Sequence, residues 1–178
     1  MPFRGHYAHM EAAELAPVAA LLAKGGIQYG LVATDKADAI AKAVENMPLP
    51  AGVNRDFVIE EILQREAIAS TATGQGIAIP HAKNAAALQL PESVLAIAFL
   101  AQPVDFDAPD GLPVRTLFLL LSHAPGVHLR LLAHLGRTLQ NADIQDALTR
   151  QLPAETIIEL FRRVEPSTDT RRVAAIRQ

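Results

Sequence analysis

The sequence predicts an α/β protein, a three-layer α/β/α sandwich around a central mixed sheet. Three observations carry that expectation. Val94–Ala101 and Val114–Leu121 are apolar on both alternating faces, as central strands covered by helices on each side are. Apolar stripes at helical spacing precede and follow this pair. The segment between the two strands, Asp105–Pro113, is rich in turn residues and contains Asp110-Gly111, so the strands are expected to pair antiparallel.

Taken in order, residues 1–10 are polar and expected to be loose. A first helix is expected over Glu11 to Lys24, ended by Gly25-Gly26. Ile27–Val32 is rich in β-branched and aromatic residues and reads as a short strand. Thr34 or Asp35 can cap a second helix, whose stripe is Ala37, Ile40, Ala41, Val44 and Met47. Pro48–Gly52 is a loop. Asn54 can cap a third helix carrying Phe57, Val58, Ile62 and Leu63. Ser70–His81 is a loop and strand region of small residues. Beyond the strand pair, one helix is expected over Val127–Gln140, with Leu131, Leu132, Leu135 and Leu139 inward. A second spans Ala142–Leu152, and a third starts near Pro153 with Ile157, Ile158, Leu160 and Phe161. No repeat or linker divides the chain, so residues 11–165 form one domain and 166–178 a polar tail.

Composition excludes several classes. A chain of 178 residues supports one real core. The net charge of −3 provides no basic field for nucleic acid. No apolar run approaches the 18 or so residues of a membrane span, so no membrane insertion is expected. Glu11 and Glu14 precede the apolar stretch Leu15–Ala23, which argues for a helix rather than a secretory signal. The chain has no cysteine, so disulfides, thiolate metal sites and cysteine nucleophiles are out, and a cytoplasmic setting is expected. No histidine set has metal-ligand spacing, and the P-loop and Rossmann patterns are missing. Asp105, Asp107 and Asp110 miss the spacing of a calcium loop and read as turn formers. Neither metal nor cofactor is therefore expected.

The run Gly76-Ile77-Ala78-Ile79-Pro80-His81 places one histidine at the end of a short apolar strand. Pro80 fixes its own φ and biases Ile79 toward an extended conformation, so His81 leaves the strand in a restricted direction. Such a histidine is either a nucleophile or proton carrier, or a satisfied strand-end residue. His128 falls in the first turn of the expected Val127–Gln140 helix. The dipole there disfavours imidazolium, so His128 is a neutral hydrogen-bond donor or a residue filling the edge of the core. Arg65 closes the third helix. It either complements that helix end or clamps an anion near Ser70, Thr71 and Thr73, since its planar fork suits phosphate.

These residues carry a resemblance. Arg65-Glu66, Ser70-Thr71, Gly74 and the run ending in Pro80-His81 resemble the enzyme IIA domain of the fructose–mannitol type. That family belongs to the bacterial phosphoenolpyruvate-dependent sugar phosphotransferase system and includes a nitrogen-regulatory branch. The resemblance continues through Pro103–Asp107, Asp110-Gly111, Pro113-Val114, Leu117–Leu121 and His128-Leu129, and covers roughly Leu15 to Val164. It implies a phosphocarrier. His81 would accept a phosphoryl group from the carrier HPr, or a nitrogen-type paralogue, and pass it to a cysteine of an enzyme IIB domain. In the regulatory branch, the phosphorylation state would instead control target proteins. His128 and Arg65 would steady the phosphoryl group, with Ser70, Thr71 and Gln75 as site neighbours. Two departures stand out. Many members carry glycine where this chain has Ala82. Transport members often have an acidic residue where Gln75 stands, which leans toward the regulatory branch. The chain carries no attached IIB region, which fits either branch.

Overall fold

A computed structural model describes residues 16–165. Five strands form one sheet, in the order β1-β4-β5-β3-β2. They are β1 (Ile27–Leu31), β2 (Ala72–Gly74), β3 (Ile77–Ala78), β4 (Val94–Val104) and β5 (Val114–Leu121). The central pair β4–β5 is antiparallel, as expected from its turn-rich connection, with Ile97 opposite Phe118 and Ala96 opposite Leu119. β1 runs parallel to β4 and β3 parallel to β5, while the β2–β3 hairpin is antiparallel, so the sheet is mixed.

Alternation along the central strands splits the core in two. Ala96, Ala98, Leu117, Leu119 and Leu121 face α2 (Lys36–Asn46) and α3 (Arg55–Ile68), packing with Ile40, Val44, Val58 and Ile62. Leu95, Ile97, Phe99, Phe118 and Leu120 face the other layer. That layer holds α1 (Val18–Gly25), α4 (Pro125–Thr138), α5 (Ala142–Thr149) and α6 (Ala154–Val164), which contribute Leu22, Leu131, Leu148 and Phe161.

The caps follow their chemistry. Asp35 is the N-cap of α2 and accepts from the Asp38 amide at 2.9 Å; Asn54 caps α3 through the Phe57 amide at 3.2 Å. α1 begins after Pro17 and has no local side-chain cap. Instead, the Glu165 carboxylate, just past α6, accepts from the amides of Val18 and Ala19, the second at 3.2 Å, and also meets His134 Nε2 of α4 at 3.1 Å. Where α1 crosses β4 the backbones touch. A Cβ on Gly25 would lie 1.9 Å from the Leu95 carbonyl oxygen, so only glycine fits.

Several boundaries differ from expectation. The predicted start of the first helix at Glu11, the loose residues 1–10 and the tail 166–178 lie outside the described residues. Val32 is exposed beyond the end of β1, and β4 continues past Ala101 to Val104. The buried stripe of α2 is Ala39, Ile40, Ala43 and Val44, and Ala37 is exposed. The helix expected to reach Leu152 ends at Thr149. α3 leaves Phe57 exposed and buries two acids, Glu61 and Glu66. Both acids have partners. Glu61 accepts from the Asn84 amide at 2.9 Å, and Glu66 accepts from the Thr71 hydroxyl at 2.6 Å and its amide at 3.1 Å. Buried carboxylates at these positions blur the amphipathic pattern from which the helix face is read.

Candidate functional site

The segment leading to His81 is held from both sides. The Ile79 amide donates to the Thr71 carbonyl at 3.0 Å, and Thr71 is itself tied to α3 through Glu66. On the other side the Leu120 amide of β5 donates to the Pro80 carbonyl at 3.0 Å, and His81 forms a parallel bridge with Leu120. The following turn is anchored by the Lys83 amide on the Glu61 carbonyl at 3.1 Å. Ala82 packs into the α2–α3 core layer, 5 % exposed.

This anchoring leaves the Ile79 carbonyl to the imidazole. His81 Nδ1 lies 2.8 Å from it, and since a carbonyl only accepts, Nδ1 carries the proton. The lone pair is then on Nε2, which accepts from Arg65 Nε at 3.1 Å. A second guanidinium N–H, from Nη1, donates to the Ala69 carbonyl at 2.8 Å and fixes the arginine at the end of α3. His81 itself is 9 % exposed. Burial first, and then the Arg65 charge, hold its pKa below the ordinary histidine value.

His128 is the neighbour across the sheet edge. Its ring centroid lies 4.9 Å from that of His81, with the planes tilted by 45°. Ser122, at the end of β5, meets His128 Nδ1 at 3.1 Å. Burial, then His81 and Arg65, push the His128 pKa down to about 4. α4 starts with Pro125 after Ala124 and has no side-chain cap, so its first amides remain available at the helix's positive end.

Arg65, His81 and His128 are thus brought together from α3, the end of β3 and the start of α4. The other neighbours named from sequence direct their hydrogen bonds elsewhere. Ser70 donates its hydroxyl to the Phe106 carbonyl and accepts from the Ala72 amide, shaping the loop. Thr71 positions the strand through Glu66. Gln75 is a correction in position: it sits in the β2–β3 turn, at the opposite end of β3, with its amide on Asp110 at 2.7 Å. The strand's rise of about 3.3 Å per residue carries His81 away from it. The sequence did not single out Ser122 or the Ile79 carbonyl, and Glu66 entered only beside Arg65 in the resemblance. No group of His, Cys, Asp or Glu among the described residues could hold a metal ion.

A neutral imidazole with one nitrogen tied to a carbonyl and the other facing a guanidinium, on an α/β sandwich, is equipped for nucleophilic group transfer. Comparison with known proteins gives the family. Residues 20–164 match the family described as phosphoenolpyruvate-dependent sugar phosphotransferase system, EIIA 2, and the chain belongs to it. Components of this kind are phosphotransferases. The chain is 35 % identical over 148 residues to a nitrogen regulatory protein of Bradyrhizobium diazoefficiens, covering 82 % of this chain and 94 % of that one. It is 35 % identical over 113 residues to a PTS system fructose-specific EIIA component of Haloferax volcanii, covering 62 % and 71 %. Its fold superposes on the nitrogen regulatory protein IIA-Ntr from Neisseria meningitidis with a TM-score of 0.69 and 28 % identity, over 81 % of this chain and 98 % of that one.

Proposed function

We propose that His81 is the phosphoryl acceptor of this protein, and that Nε2 is the atom that carries the group. The observation behind this reading is the geometry of the His81 ring: Nδ1–H is committed to Ile79, and the Nε2 lone pair points to Arg65. The Nε2 lone pair attacks the phosphorus of a phosphohistidine donor of the HPr type. The donor's N–P bond breaks and its electron pair returns to the donor nitrogen. The exchange is imidazole for imidazole and requires no external base. Because burial keeps His81 neutral, the lone pair is present at neutral pH.

Arg65 then moves its N–H donors from Nε2 to the phosphoryl oxygens, whose charge it neutralises. His128 supplies a further donor. In the tautomer whose Nδ1 accepts from the Ser122 hydroxyl, the His128 proton sits on Nε2, and the low pKa keeps the ring uncharged. The uncapped start of α4 adds oriented amides. Incubation with phosphoenolpyruvate, enzyme I and HPr is expected to add one acid-labile phosphate. Labelling that persists in a His81→Ala variant would overturn the assignment.

A second question is where the group goes next. The regulatory reading has a specific support: a nitrogen regulatory protein matches this chain over 94 % of its own length. Gln75, in place of an acidic residue, leans the same way. On this reading phosphorylation of His81 governs docking to target proteins, in the cytoplasm. Mixing the labelled protein with purified IIB domains decides it. Retention of label supports regulation, and its passage to a IIB cysteine supports sugar uptake.

A further inference from the structure

At the far end of β3 from His81, a cleft of about 210 Å³ opens between the β2–β3 turn, the start of β5 and α5. Gln75, Arg115, Thr116, Gln145, Thr149 and Gln151 bring its polar groups. Phosphoryl chemistry has no use for it, because about 16 Å of strand separates Gly76 from His81.

Two features mark it as built for a ligand. The first is Thr116. It lies on the face of β5 whose other members, Phe118 and Leu120, are core, and it is 4 % exposed. Among the described residues its hydroxyl has no hydrogen-bond partner, although it lines the cleft. The body of the residue is buried while the hydroxyl, absent from the enclosed unpaired atoms, opens to the cleft and is free to meet a ligand there. The second is Arg115. It alone among the lining residues is charged, and among the described residues its guanidinium has no hydrogen-bond or ion-pair partner. The glutamines extend the polarity. Gln145 Nε2 donates to Gln75 Oε1, which leaves the Gln75 NH₂ and the Gln145 carbonyl facing outward as one donor and one acceptor. Gln75 and Gln151, both lining the cleft, hold φ of 56° and 49°, a conformation rare for residues other than glycine.

The charge pattern selects the ligand. One guanidinium fork matches one carboxylate in bidentate geometry. A dianion would leave charge uncompensated, and an ammonium would find no carboxylate in the lining. A purely apolar body would strand the threonine hydroxyl and the amides. The volume suits a compact metabolite. We propose that this cleft binds a small hydroxylated monocarboxylate, its carboxylate on Arg115 and its hydroxyls on Thr116 and the glutamine amides.

The test titrates the ¹⁵N-labelled full chain with D-gluconate, and with D-glucitol as the uncharged polyol. Gluconate is expected to give saturable shifts of the Gly76, Arg115, Thr116 and Gln145 amides, with glucitol at least about tenfold weaker. Arg115→Gln is expected to abolish that preference. Thr116→Val, which keeps the shape, is expected to weaken gluconate severalfold. His81→Ala is expected to titrate like wild type, which separates this site from the phosphoryl reading. If Thr116→Val unfolds the chain, Arg115→Gln, at an exposed position, still carries the test. Absence of saturable shifts at these amides, or equal response to gluconate and glucitol, overturns the proposal.

Discussion

His81 works as a nucleophile only if its proton stays on one nitrogen, and a backbone carbonyl keeps it there. Arg65 does two things that lysine cannot do together, since Nε meets His81 while Nη1 holds the Ala69 carbonyl. Arg65→Lys is therefore expected to slow phosphoryl transfer by about tenfold or more while leaving the fold intact, as rapid-quench transfer from phospho-HPr would show. Parity with wild type would reduce Arg65 to a helix-end cation. His128→Ala is expected to slow transfer more than it lowers stability, because its ring lies against that of His81. Unchanged kinetics with a lowered melting temperature would return it to the edge of the core. The residue types and their chain order pointed to Arg65, His81 and His128. The acceptor for Nδ1 was beyond sequence, since any residue can offer a carbonyl and only the strand geometry selects Ile79. Gln75 was drawn to the site by its place in the family resemblance, and β3 carries the two residues apart.

At the scale of elements, what could be read was what periodicity records. The central strands, apolar on both faces, were placed correctly, and the turn-rich Asp105–Pro113 joined them antiparallel as expected. The face of α3 was harder to read, because Glu61 and Glu66 occupy buried positions to hold the loops that frame His81. The contact of α1 with β4 is likewise silent in sequence, where Gly25 looks like a simple helix stop. Its lack of a side chain lets the helix settle on the Leu95 carbonyl. Gly25→Ala is expected to force the two backbones apart and to cost about 1–3 kcal/mol or more, measured by urea unfolding. A loss of only a few tenths would mean that α1 is free to shift.

For the whole molecule, the two site histidines set an acid limit. Burial, and then neighbouring positive groups, lower both pKa values, that of His128 to about 4. The unfolded chain therefore binds more protons than the folded one between the ordinary histidine value of about 6.5 and that lower limit. Stability from this source is fully present above the upper value and is lost as pH falls through the window. Urea midpoints at about pH 7.5 and about pH 5 are expected to differ more for wild type than for His128→Asn. An equal drop would place the acid sensitivity elsewhere. The same molecule has its first and last described helices fastened side by side, since the carboxylate of Glu165 grips the first amides of α1 and a histidine of α4. Val18 and Glu165 thus share one point, and the stretch of chain between them closes on itself. Such a unit can be spliced into a surface turn of a host protein without prising the host apart, so the fold is portable as a single cassette.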